Sequence, residues 1–169
     1  MEQITNRGGF AMFRPMRRVK QEFSREECIK ILKEEKRAVL ALNGDDGYPY
    51  ALPINYIYDD ESGHIFVHGA VAGYKFDCIR RNPKACFTVH DQGFKKEGDW
   101  AYYVHSVIAF GQIKQVTDPD TLLKYLRPLG LKYYPTAQAV DDIIAKTVGR
   151  VAVFEFIPEH MTGKLVHEK

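Results

Sequence analysis

The chain has 169 residues, of which 45% are hydrophobic and 27% charged, with a formal net charge of +2. That length supports one domain, residues 1–169, with a proper core, and that composition excludes a disordered chain. The small net charge makes no case for nucleic acid by itself, and no apolar run has the length of a secretory leader core or a membrane span.

Residues 1–12 show no period and read as an arm. FRPMRRVK follows, with Arg14, Arg17, Arg18 and Lys20. Such a cluster is either a solvated basic arm or a grip for phosphate, an acidic surface or nucleic acid. Ser24-Arg25-Glu26-Glu27 is a capping box and predicts a helix to about Lys36, with Cys28, Ile31 and Leu32 on its inner face. Ala38–Leu42 reads as a buried strand, and Asn43–Gly47 as a turn. Tyr48–Tyr58 is a strand interrupted by Pro49 and Pro53. Each proline lacks an N–H, so the strand lies at an edge, is bulged or is unpaired there. That arrangement either leaves backbone polar groups to a ligand or protects an edge from aggregation.

The stretch HIFVHGAVAGYKFDCIRRNP, His64–Pro83, starts as a strand, turns through Gly69–Gly73 and becomes a short helix stopped by Asn82-Pro83. A small-residue turn feeding a helix N-terminus, with Lys75 in its first turn, suits a phosphate, because free N–H groups and the helix dipole favour an anion there. The alternative is an ordinary connection with solvent-facing basic residues. Ala85–Val89 is the next strand, residues 91–99 a polar loop, and Trp100–Val116 a long strand whose Gly111 marks a bend or bulge. Thr117-Asp118-Pro119 starts a helix that ends near Pro128-Leu129-Gly130. A loop at 131–135 leads to a helix from Thr136 to about Lys146. Arg150–Ile157 is the last strand, closed by Pro158, and Met161–Lys164 is a turn in the tail. The ten Tyr, ten Phe and one Trp fit a sheet-rich fold. About six strands in antiparallel succession with three or four helices predict a mostly β, α+β chain: a barrel or sandwich with peripheral helices.

Cys28, Cys78 and Cys86 are odd in number and show no CxxC spacing. They predict buried free thiols in a reducing cytoplasm rather than disulfides or zinc. His64 and His68 are four residues apart. On a strand that is roughly 13 Å, too far for one ion, so no metal site is predicted. There is no GxSxG, no GxxxxGK[ST] and no GxGxxG. What remains is a phosphorylated cofactor at residues 68–81, with backbone from the proline-marked strand beside a flat polar ring.

Four blocks then act together: MRR at 16–18, DDGYPYALPINYIYDD at 45–60, VHGAVAGYKFDCIRRNPKACFTV at 67–89 and SVIAFGQIKQV at 106–116. Across about Met12 to Lys164 they resemble the Nim (nitroimidazole-resistance) branch of the pyridoxamine 5'-phosphate oxidase-like flavoproteins. The H-G-A-x-x-G-x-K run is the most specific part. The resemblance implies a six-stranded antiparallel split β-barrel of FMN-binding type, working as a homodimer with FMN at the subunit interface. It implies Lys75 on the FMN phosphate, and Val67, His68, Gly69 and Ala70 against the flavin. Leu52, Pro53, Ile54 and Asn55 would follow the ring edge, and Ser106 would come from the other subunit. It assigns no role to Val104-His105 or to the 92–99 loop.

The leading expectation is an FMN-dependent oxidoreductase passing electrons from reduced flavin to a small flat acceptor such as a nitroimidazole. His68 is the candidate proton donor or flavin-tuning group, since imidazole titrates near neutrality. The alternatives are a flavin or haem carrier or sensor with little turnover and, third, a nucleic-acid or partner-binding protein using the Arg14–Lys20 cluster. The small net charge sets the third behind the others. No nucleic acid and no membrane are expected as partners.

Overall fold

The computed structural model describes residues 13–167; the arm expected over 1–12 lies outside them. Ser24 starts helix α1 (Arg25–Glu34) by the reciprocal bonds of a capping box. Its Oγ accepts from the Glu27 N–H at 3.2 Å, and its own N–H donates to Glu27 Oε2 at 2.7 Å. Two otherwise orphaned donors are thereby satisfied. The helix lays Cys28 and Leu32, both buried, onto the sheet.

The strands are β1 (Ala38–Asn43), β2 (Pro49–Ile54), β3 (Tyr56–Tyr58), β4 (Ile65–Ala70), β5 (Lys84–His90), β6 (Phe94–Lys95), β7 (Tyr102–Gln115) and β8 (Val151–His167). Helices α2 (Tyr74–Arg81), α3 (Pro119–Tyr133) and α4 (Ala137–Thr147) complete the described elements with three short 3-10 turns. All pairings are antiparallel in the order β2-β1-β5-β7-β8-β4-β3, with β6 a branch on β7. The two ends of that order, β2 and β3, are separated in sequence by Asn55 alone. One short piece of chain sits at both ends of the sheet, so the sheet curls back on itself as a barrel does.

Among the described residues eight strands are present where six were expected. The Tyr48–Tyr58 run divides at Asn55, and the 92–99 loop contributes the short β6. β2 pairs only with β1, so its two prolines sit on an edge where a missing N–H breaks no second ladder.

Gly111 is the bend that its position suggested. The β7–β8 register slips between Phe110 and Gly111. A Cβ at Gly111 would stand 2.9 Å from the Ile157 carbonyl carbon and 3.0 Å from Pro158 Cα. Pro158 lies opposite this bulge, where its missing N–H is tolerated. It therefore does not close the last strand: β8 runs on to His167, and the turn expected at Met161–Lys164 is extended strand. A second correction concerns α3. It starts at the predicted place, with Asp118 capping Thr121 N–H at 2.8 Å and Pro119 at its first position. It then passes through Pro128 and on to Tyr133. Burial of Leu126 and Leu129 on either side of the proline outweighs the lost backbone bond.

Inside the barrel, Leu40, Val67, Phe87, Val107, Ile113, Phe154 and Phe156 are essentially inaccessible. A second cluster fixes α3 to the outside of β4 and β8. Its centre is Phe66, whose ring stacks on Tyr125 at 3.4 Å between centroids. Among the described residues no helix is long and apolar enough to cross a membrane, and no group of three His, Cys, Asp or Glu side chains is placed to hold a metal. All three cysteines are free thiols, Cys28 and Cys78 buried as expected and Cys86 only half-buried. Burial, with Glu27 adding to it, pushes Cys28 up to about 11, so this thiol stays protonated.

Candidate functional site

Tyr56 is the last residue by which β3 holds β4, and its partner is Val67. Beyond that pair β4 continues through His68, Gly69 and Ala70, held on its other side by Val153, Ala152 and Val151 of β8. The preceding chain leaves through Asn55 to pair with β1. The backbones of Leu52–Ile54 and His68–Ala70 therefore follow different partners, β1 and β8, and the ladder between them ends in an unpaired slit. The kink is pinned by Tyr133 of α3, whose hydroxyl accepts the Tyr56 N–H at 2.8 Å and donates to the Lys36 carbonyl at 2.7 Å.

With one exception the predicted residues flank this slit along the chain, but they do not share one hollow: Pro53 lines a hollow with Val39 and His90, while His68, Gly69 and Ala70 line a cavity with α3 and α4. Leu52 is half-buried against the core, Pro53 is exposed, Ile54 is buried and Asn55 is half-buried. Val67 is wholly buried and is paired on both sides, with Tyr56 and with Phe154. His68 and Gly69 are half-buried and Ala70 is exposed. Ser106 is the exception. It pairs with Lys164, while His68 pairs with Val153, eleven residues back along β8, or roughly 36 Å of extended strand. Within one chain Ser106 belongs to a separate hollow with Arg14, Phe110 and His160.

Lys75 does not extend into solvent. It folds back over Gly69 and donates to the His68 carbonyl at 3.1 Å, one residue past the last β3–β4 pair. Its ammonium also lies 5.7 Å from the Phe154 ring centroid. The absence of a side chain at Gly69 makes that seat: a Cβ there would stand on Lys75 Nζ and 2.7 Å from Cε. Among the described residues Lys75 forms no ion pair, and burial lowers its pKa. The other α2 cations are otherwise engaged. Arg81 pairs with Asp45 at 2.7 Å, and Arg80 lies over the Phe76 ring at 5.7 Å.

His68 carries the clearest unmet demand. Its Nδ1 is buried and has no hydrogen-bond partner, which a native fold rarely leaves unexplained. Desolvation first, and the Lys75 charge second, lower its pKa. The imidazole is therefore neutral at neutral pH rather than poised at its titration point. His68, Gly69 and Ala70 also form one wall of a cavity of about 510 Å³. The opposite wall comes from Leu126 and Gly130 of α3 and from Val140, Ile143 and Ile144 of α4, with Thr147 and Arg150 at its edge. Sequence reasoning missed this wall. The signal was there in part: Val140, Ile143, Ile144 and Thr147 follow the i, i+3, i+4, i+7 spacing of one helix face. Nothing in that spacing names the strand it faces.

Two further pairs also went unread. His64, without evident role in the sequence, binds Glu155 through Nδ1 at 2.7 Å, and Lys114 joins the same carboxylate at 3.1 Å. His105 Nδ1 lies 2.5 Å from Asp91 Oδ2, while Asp91 Oδ1 accepts the N–H groups of Gly93 and His105. This second pair fastens the β6 loop to β7. Of the basic cluster, Arg17, Arg18 and Lys20 line a surface hollow beside His167, away from the slit.

Residues 24–165 match the pyridoxamine 5'-phosphate oxidase family. No curated protein matches the chain. Among solved structures, the chain is similar to a Bacteroides thetaiotaomicron protein proposed as a 5-nitroimidazole antibiotic resistance protein, with a TM-score of 0.69, 18% identity and 85% of each chain covered. It is similar to a conserved hypothetical protein from Mycobacterium tuberculosis, with a TM-score of 0.75, 17% identity and 89% and 90% of the two chains covered. It is also similar to a Mesorhizobium loti protein described as FAD-binding, with a TM-score of 0.61, 22% identity and 86% and 97% covered. At these identities the likeness is one of fold.

Proposed function

Because the chain belongs to the pyridoxamine 5'-phosphate oxidase family, we propose that it is a flavin-dependent oxidoreductase, with FMN as its flavin and a small flat molecule such as a nitroimidazole as electron acceptor. The observation that carries this reading is the slit beside β4. There a buried ring nitrogen of His68 without a partner and a half-buried Lys75 without an ion pair sit next to backbone that has left its ladder. These are the demands that a flat ring bearing polar edges and a phosphate would meet. Bound flavin would supply the redox chemistry, taking up and releasing electrons.

The chain's own residues would divide the remaining work. Lys75, held over Gly69 at the start of α2, would bind the phosphate with N–H groups not spent on the His68 carbonyl. Leu52–Asn55 and Val67–Ala70 would line the ring through the two backbones. His68, neutral because it is buried, would hold a hydrogen bond through Nδ1 rather than act as an imidazolium acid. Ser106 cannot reach that place within one chain, so the proposal includes a homodimer whose partner brings its own copy of the β7 strand to the site. The outward surface supports this. Val39 of β1 and Phe110 of β7, 37% and 41% exposed, face out from neighbouring parts of the sheet.

The test is direct. The purified protein should be yellow, with a flavin absorption spectrum, and should release FMN on denaturation. The neighbour described as FAD-binding makes FAD the competing outcome, which the mass of the released flavin separates. Repeated reduction by a nicotinamide donor and reoxidation by a nitroimidazole establishes turnover. A flavin that binds but never cycles would leave a carrier, and a chain that takes up no flavin would end the proposal.

A further inference from the structure

The cavity between β4 and the α3–α4 pair is larger and more apolar than a single nitro-substituted ring requires. Its walls are the side chains of Leu126, Val140, Ile143, Ile144 and Val151 with the backbone of Gly69. A cavity of about 150 Å³ lined by such residues holds one benzene; 510 Å³ is about three times that. The volume falls within the range of small-ligand pockets. Gly130 lets α4 approach α3 closely: a Cβ there would stand 2.7 Å from Val140 Cγ1. Two helices locked at that contact form a fixed wall.

The polar groups at this cavity are few and separated. His68 lies on the β4 wall, with its buried, unpartnered Nδ1. The Thr147 hydroxyl is committed as a donor to the Ile143 carbonyl at 2.7 Å. Arg150 lies at the edge. Its guanidinium touches only the Lys146 carbonyl, at 3.3 Å, and it forms no ion pair among the described residues. An apolar chamber whose described lining carries a single cation, Arg150, rejects polyanions such as dinucleotides, whose buried charges would go unpaired. It suits an apolar body with one negative charge at the end.

We propose that this cavity is the acceptor subsite, and that it selects an aromatic molecule of two fused rings carrying a single anionic group, seated on the α3–α4 wall with its charge on Arg150. The word acceptor rests on the flavin reading above; the pocket itself does not.

The experiment uses the purified full chain, with flavin content recorded first. Three probes are titrated by calorimetry: 2-naphthoate, benzoate and the uncharged 2-naphthylmethanol. The expected result is one 2-naphthoate per chain, bound about tenfold or more tighter than benzoate because of the extra buried ring. Ile143→Trp, which fills the chamber, should abolish naphthoate binding and leave flavin content unchanged. Arg150→Gln should weaken naphthoate about tenfold and leave 2-naphthylmethanol alone, since it removes a charge-assisted contact. The proposal is overturned if naphthoate does not bind, if Ile143→Trp binds it as well as the parent, or if Ile143→Trp strips the flavin, which would make the chamber part of the cofactor site. Naphthoate binding to a chain that takes up no flavin would keep the pocket and remove the flavin reading. Flavin binding without naphthoate binding would do the reverse.

Discussion

Substituting Gly69 by alanine tests the seat of Lys75 without touching Lys75. The backbone at Gly69 is not in the left-handed region, so alanine adopts it without strain. The new Cβ would stand on Lys75 Nζ and 2.7 Å from Cε, but at an ordinary 3.5 Å from Phe154 Cε2. Only the end of a flexible side chain has to move. For stability the two effects nearly cancel. Losing the Lys75–His68 hydrogen bond costs about 1 kcal/mol, and replacing glycine in a compatible conformation returns about 0.4–1 kcal/mol. On the proposed reading, in which Lys75 binds the phosphate, nothing offsets the displaced ammonium for flavin affinity. A charge-assisted bond is worth about 1.5–3 kcal/mol, so FMN affinity should fall by one to two decades.

The assay is quenching of flavin fluorescence on titration of apoprotein, for the parent, Gly69→Ala, Lys75→Ala and the double variant. If the effect of Gly69→Ala runs through Lys75 rather than through the ring that Gly69 would line, the double variant should bind FMN no worse than Lys75→Ala alone. Three results would refute the reasoning. One is Gly69→Ala with parental affinity. Another is losses that add in the double variant. The third is a urea midpoint so lowered that the fold itself has failed.

The other predictions concern the frame around the slit. Gly111→Ala should cost about 1–3 kcal/mol in urea unfolding, because the obstacle to its Cβ is the backbone of Ile157 and Pro158, which cannot swing aside; an unchanged midpoint would mean that the bulge relaxes freely. Glu155 is raised by burial but lowered more by its bonds to His64 and Lys114, for a net depression below its ordinary 4.5. A depressed carboxylate stabilises the fold above its unfolded pKa and loses that contribution as pH falls through the folded one. Melting temperature should therefore drop as pH falls below about 4.5, and Glu155→Gln should start lower at pH 7 and show a shallower drop; parallel curves would exclude Glu155 as a source. Burial lowers Lys132 to about 8, partly countered by Glu35. At pH 7.5 its free-amine fraction should exceed that of an ordinary lysine by roughly a hundredfold, so limited acylation followed by peptide mapping should find Lys132 modified ahead of the exposed Lys30. Labelling of Lys30 first would count against the burial argument.

What was readable in advance was what a few neighbouring residues decide among themselves. Ser24 and Glu27 close their capping box within one turn, Asp118-Pro119 starts α3, and Asn82-Pro83 ends α2, whatever the rest of the chain does. Gly111 was readable as a bend because a long aromatic strand has no other reason to carry a glycine. Pro128 and Pro158 misled for the complementary reason. A proline's cost is local, but the burial of Leu126 and Leu129, or a bulge on the facing strand, comes from residues elsewhere in the chain. At the site, the H-G-A-x-x-G-x-K run located His68 and Lys75 on adjoining elements. It gave no hint that Lys75 would turn back onto the His68 carbonyl, because that depends on Gly69 offering no Cβ in three dimensions. The α3–α4 wall was legible as an apolar face and illegible as a pocket, since the gap between two packed elements has no sequence of its own.

The position of β8 has a consequence for how the molecule comes into being. The last described strand, β8, is a middle strand of the sheet, lying between β7 and β4, and the segment leading into α1 is tied to it through the Phe23 N–H and the Gly163 carbonyl at 2.8 Å. Until residues 151–167 leave the ribosome, β4 has lost its longer-range neighbour, the barrel has a gap, and the first helix lacks part of its floor. Contacts of such sequence separation form late and slowly. His68, whose strand is held by Val153, is thus put in place only once residues 151–167 have been made. A nascent or truncated chain would present the signature motif without the site, and ligand binding would report completion of the whole fold.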